Sequence, residues 1–211
     1  MFKKYIILFN FFLFCHISLG FAANANFHHF KSCQGANHQL QEIITTIQKL
    51  PEARQLFATI QREGPIQIIF DKDNDICREF GACWDPDHRV ICVSTDSGRS
   101  KGDLIGSLLF ELQNALVNSK IRYYDDLASK GNIGKEDYVR SIEYLEYQNS
   151  KKAAYIAERG IQQGLFPIQA RLSTYDNFEE HYHYQKIGGH SACIARNYQN
   201  IVLQARSGFN Y

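Results

Sequence analysis

Apolar residues recur at helical spacing from Asn37 onward, at Leu40, Ile43, Ile44, Ile47 and Leu50, which predicts an amphipathic helix. Pro51 then opens a second helical stretch reaching towards Arg62, because a proline in the first turn gives up an N–H that has no intrahelical partner there. Gly64 and Pro65 end that stretch. Residues 66–70 are rich in β-branched and aromatic residues and read as a buried strand. The polar run 71–75 carries Asp71, Asp73 and Asp75 like the start of a calcium loop. It lacks that motif's glycine and terminal glutamate, so a solvated turn is expected. Residues 82–84 and 89–94 flank Asp85-Pro86-Asp87-His88, a turn-rich tetrapeptide that predicts a hairpin.

Two helices follow that could carry chemistry. Residues 95–102 form a polar loop with two glycines, and Asp103 is placed to cap the next helix. Projected at about 100° per residue, Leu104, Ile105, Leu108, Leu109, Leu112, Ala115 and Leu116 make one apolar arc, with Ser107, Glu111, Asn114 and Asn118 on a narrow polar stripe at its edge. Glu111 lies nearly in line with Leu104 and Ala115, which predicts burial and therefore a compensating partner or a bound proton. The second helix spans 135–158. Its inward stripe of Tyr138, Ile142, Leu145, Ala153 and Ile156 includes Asn149, with Glu146 beside it and Glu143 a little further round. If the two helices pack together, their carboxylates and amides converge on a small polar site. Beyond Gly164 no clear period exists, and short elements mixed with loop are expected.

The N-terminus changes the picture. Lys3 and Lys4 precede an apolar run over residues 5–19, followed by Ala22, Ala23 and Ala25. This predicts a secretory signal peptide over residues 1–25 and a single domain over 26–211, secreted or periplasmic. The run is shorter than the roughly 20 apolar residues that span a bilayer, so no membrane anchor is expected after cleavage. The formal charge of +1 would turn slightly negative without Lys3 and Lys4, which gives no electrostatic case for nucleic acid or an anionic membrane. Cys33, Cys77, Cys83, Cys92 and Cys193 remain, an odd number that allows at most two internal disulfides. A bridge within the trio Cys77, Cys83 and Cys92 around the hairpin is expected, and the absence of a C-x-x-C pair argues against a thiolate zinc site.

Phe110-Glu111-Leu112-Gln113-Asn114 has the spacing of an H-E-x-x-H zinc-binding helix, keeps the glutamate and lacks both histidines. In order as well as motif, residues 37–158 resemble a small gluzincin-type metallopeptidase: helix, strand, hairpin, motif helix and a later glutamate helix. The resemblance implies an α+β zincin-like core. It puts Phe110 and Asn114 in the places of the histidine ligands, Glu111 in that of the catalytic glutamate, and Glu143 or Glu146 in that of the third ligand. The usual zinc site cannot form from those residues.

A protein inactive as a zinc peptidase is therefore expected, binding a peptide or protein ligand of the envelope in a groove under the hairpin, where an extended peptide can add to an edge strand. No cofactor is expected; if a metal binds, the oxygen donors of Glu111, Asn114 and Glu146 suit magnesium or calcium. The structural alternative pairs Glu111 with Asn149 and Glu146 with Asn114, neutralised by Arg89, Arg122 or Arg140. The enzymatic alternative is a metal-dependent hydrolase using Glu111 as general base, with Glu146 and a C-terminal histidine as ligands. His181 and His183 would share one face if residues 181–183 were a strand, and with His190 they are the candidates. Cys193 beside His190 or His183 is a weaker thiol-nucleophile candidate.

Overall fold

The computed structural model describes residues 34–71, 81–94 and 98–208. The signal segment, Cys33, Cys77, Asp73 and Asp75 lie outside the described residues. The chain runs α1 (Gln34–Gln48), α2 (Pro51–Arg62), β1 (Gln67–Asp71), β2 (Ala82–Asp85), β3 (Val90–Ser94), α3 (Lys101–Leu116), α4 (Asn118–Ser129), α5 (Lys135–Gln162), a 3-10 turn (Ile168–Ala170), α6 (Phe178–Gly188) and α7 (His190–Arg206). Seven α-helices and one small sheet among the described residues make a mostly helical α+β fold.

The sheet order is β1-β3-β2, so β3 is central. β1 lies parallel to β3, with Gln67 opposite Val90 and Asp71 opposite Ser94, while β2 is antiparallel, with Cys83 opposite Cys92 and Trp84 opposite Ile91. Cys83 is disulfide-bonded. The hairpin loop is an Asx turn, since Asp85 Oδ1 accepts from the backbone N–H of Asp87 at 2.9 Å and of His88 at 3.1 Å. Arg89 closes it with φ +53°, a left-handed conformation that costs a non-glycine residue roughly 1–2 kcal/mol. Its guanidinium offsets that cost by donating to the carbonyls of Ile60, Gly64 and Pro65 at the end of α2.

α3 begins in a reciprocal capping box. Ser100 is the N-cap and its hydroxyl accepts from Asp103 N, while the Asp103 carboxylate takes the Ser100 N–H. Asp103 is thus the third residue of the helix rather than its cap. The main core gathers Ile43, Ile47, Phe57 and Ile60 from the first two helices, Trp84 and Ile91 from the sheet, most of α3, and Ala153 and Ala157 of α5. At Gly160 the ring of Phe166 comes so close that a Cβ would sit 2.0 Å from it. A second cluster joins α4, the first half of α5 and α7 through Ile121, Tyr138, Val139, Ile142 and Ile194.

α4, α6 and α7 depart from the sequence expectation. The C-terminal segment is helical, yet its buried positions are His181 and Gln185 in α6 and His190, Ser191, Ile194 and Asn197 in α7. These recur at helical spacing but are mostly polar, so the apolar period that marks a helix is missing. Asn177 caps α6 by accepting from Glu180 N, and Gly189 at φ +86° turns the chain into α7. Among the described residues no helix is long and apolar enough to cross a membrane.

Candidate functional site

α3 packs along α5, and both bury polar residues at their contact. Glu111 is 3 % exposed. Its Oε2 accepts from the backbone N–H of Trp84 at 3.1 Å and from Asn114 Nδ2 at 3.1 Å, and Asn149 Nδ2 in turn donates to Asn114 Oδ1 at 2.9 Å. Ser94 N bonds Gly81 O across the β2–β3 pair, so in this register the Trp84 N–H points away from β3, to the free edge of the sheet. Glu111 therefore ties an edge strand to α3. Burial pushes its carboxyl up to about 8 against the pull of those two hydrogen bonds, so at neutral pH it is mostly protonated.

This network corrects the expected one. Asn114 bridges Glu111 and Asn149, and none of the three arginines joins it. Arg89 caps α2, Arg122 pairs with Asp87, and Arg140 pairs with Glu179. Phe110 is buried in the main core.

The second polar cluster lies one turn away on α5. Glu143 is fully buried, with His190 Nδ1 at 3.0 Å and Ser191 Oγ donating at 2.6 Å to its Oε1. His181 Nε2 stands 3.3 Å from Oε2, at ion-pair distance but outside good hydrogen-bond alignment. Burial raises the Glu143 carboxyl, yet the close imidazole of His181 and the hydrogen bonds from His190 and Ser191 outweigh it and hold the group at about 2, so it is a carboxylate at any ordinary pH. Glu146 has the opposite fate. Burial, then the neighbouring charges of Glu111 and Glu143, push it well above the usual carboxyl range.

A small cavity of about 20 Å³ opens beside this cluster, lined by Glu143, Glu146, His181, His190 and Tyr175 among others. That is room for about one water-sized group. Glu146 Oε2, Glu143 Oε2 and His190 Nε2 are buried here without a hydrogen-bond partner in the protein. At the rim the ring of Tyr175 meets His181 edge-on at 5.4 Å and stacks on Tyr184 at 5.4 Å, and Tyr147 meets His181 at 5.6 Å.

The structure thus splits the five sequence candidates. Glu111, Asn114 and Asn149 form one closed network, while Glu143 and Glu146 reach the cavity, which Glu111 does not line. Two further residues, His181 and His190, join Glu143 from the segment whose helices the sequence reading missed. The expected His181–His183 face does not exist, because on a helix the two point apart: His181 is buried and His183 exposed. Ser191 and Tyr175 had no signal in the pattern. Cys193 accepts from Arg196 at 2.8 Å, and His190 Nδ1 is engaged by Glu143. Among the described residues no three His, Cys, Asp or Glu side chains are arranged to hold a metal ion.

No protein-family model, curated protein or solved structure matches this chain.

Proposed function

We propose that the chain is an exported zincin-like protein that works by binding a peptide or protein ligand rather than by cleaving one. The order of α1, α2, the sheet, α3 and α5 supports the zincin-like core, and the wiring of Glu111 supports loss of peptidase chemistry. A general base must reach the water it activates. Glu111 is instead protonated and spent on the Trp84 N–H, with Phe110 and Asn114 where imidazoles would be needed. The same bond occupies an outward donor of β2, so strand addition at Trp84 has lost one of its hydrogen bonds. The observation that carries the binding reading is the cavity between α5, α6 and α7, where four buried polar atoms, Glu143 Oε2, Glu146 Oε2, His181 Nε2 and His190 Nε2, lack a hydrogen-bond partner. Buried polar atoms are ordinarily satisfied, and partnerless ones gathered at one cavity mark a place for a ligand's polar group.

The test is affinity selection of a random peptide pool on the mature chain, in buffer with zinc, read by mass spectrometry. Retention of an intact subset, lost in Glu146→Gln, is the expected result. Cleavage of the pool that disappears in Glu111→Gln would overturn the reading in favour of a hydrolase.

A further inference from the structure

We infer that the cavity beside Glu143 and Glu146 is a recognition site for a primary ammonium group, as carried by a lysine side chain or a free chain N-terminus. This rests on the binding reading and names the chemistry that the site selects.

Glu146 Oε2 and His190 Nε2 have no hydrogen-bond partner, and Glu143 Oε2, which keeps a free lone pair, has only the His181 imidazole at ion-pair distance, 3.3 Å. In the tautomer that donates its Nδ1–H to Glu143 Oε1, His190 presents an acceptor lone pair at Nε2. The cavity then offers three acceptors. A primary ammonium brings three N–H donors and no acceptor, whereas water brings only two donors for the three acceptors.

Charge points the same way. Two carboxyl groups share the site, and none of the residues lining it is Lys or Arg. His181, His190 and Ser191 all face Glu143, which leaves Glu146 without a counter-charge. Glu111, itself a carboxyl, supplies no counter-charge either. A cation entering the cavity supplies the missing charge and lets Glu146 ionise. Size fits as well, since about 20 Å³ holds a single water-sized group and excludes a guanidinium. Tyr175, which lines the cavity, gives an aromatic ring against which the methylenes behind an ammonium can rest.

The experiment is isothermal calorimetry on the mature chain at pH 7, in two buffers of different ionisation enthalpy. The probes are Nα-acetyl-lysine methylamide for the side-chain ammonium, alanyl-alanine amide for the chain N-terminus, and the neutral Nα-acetyl-norleucine methylamide. Saturable binding of one ammonium probe, at least tenfold tighter than the neutral one and accompanied by release of up to about one proton as Glu146 ionises, is expected. Whichever ammonium probe binds identifies the source. Glu146→Gln should weaken that probe tenfold or more and abolish the proton release, and His190→Gln, which keeps an acceptor, should weaken it less. Equal affinity for the neutral probe, unchanged binding in Glu146→Gln, or stoichiometric binding of zinc that the probes fail to displace would each overturn the inference. Peptides without lysine and with blocked N-termini that still bind at the cavity would sink the ammonium assignment alone. A pool of which nothing is retained would sink the binding reading beneath it.

Discussion

Replacing Glu111 with glutamine should make the protein more stable at neutral and alkaline pH, although the proposed zincin-like core would put the residue in the catalytic place. Glutamine keeps one oxygen to accept from Trp84 N and Asn114 Nδ2, and it removes the proton equilibrium. The wild-type carboxyl titrates at about 8 in the fold against 4.5 for an ordinary glutamate. Below pH 4.5 both folded and unfolded states hold the proton and no penalty exists. Above it the unfolded chain ionises while the folded chain must stay protonated, so stability falls by about 1.4 kcal/mol per pH unit until the folded group ionises. The penalty reaches roughly 3 kcal/mol at pH 7 and about 5 kcal/mol above pH 8. Removing Glu111 also relieves Glu146, which adds in the same direction. The readout is urea unfolding of both proteins from pH 4.5 to 8.5, followed by the fluorescence of Trp84, the lone tryptophan. The stability difference should grow from near zero to several kcal/mol. A difference that stays constant with pH would refute a protonated buried Glu111.

Glu143→Gln should behave in the mirror sense. Its folded carboxyl lies at about 2, so the stability it contributes, about 3 kcal/mol, is present above pH 4.5 and is lost as pH falls towards 2; acid unfolding curves of variant and wild type should converge over that window. A double-mutant cycle of Asn114→Ala and Asn149→Ala should show a coupling of roughly 0.5–3 kcal/mol in chemical denaturation, because the two amides share one bond to the same network. Gly160→Ala should lower thermal stability by roughly 1–3 kcal/mol, since its Cβ would collide with the ring of Phe166. Ser100→Ala should cost about 1 kcal/mol through loss of the capping box.

The fold was legible where apolar residues carried the period. α2 runs over the stretch opened by Pro51, β1 is displaced by one residue from its expected span, and the hairpin and α3 stand where the pattern put them. α4 was missed, with Ile121 and Ala128 its only buried residues, and α6 and α7 were missed because they bury histidine, glutamine, serine and asparagine. That gap hid half of the candidate site. Burial of Glu111 followed from its place on the α3 arc, and the approach of Glu143 and Glu146 to a polar site followed from the α5 stripe. The partners did not follow. The Trp84 N–H becomes available to Glu111 through the register of β2 on β3, and His190 reaches Glu143 only because Gly189 reverses the chain between α6 and α7. Neither is a local property of the residues concerned.

The most direct test of the account places the ligand. Long-range proton–nitrogen spectra of the imidazole rings, recorded as a retained peptide is titrated in, report on His181 and His190, while the Trp84 indole, bonded to Asn118 at 3.3 Å, reports on the hairpin and its contact with α3 and α4. The account predicts saturable shifts of both imidazoles with the indole unmoved. A shift of the indole with the imidazoles still would place binding at the motif helix and contradict it.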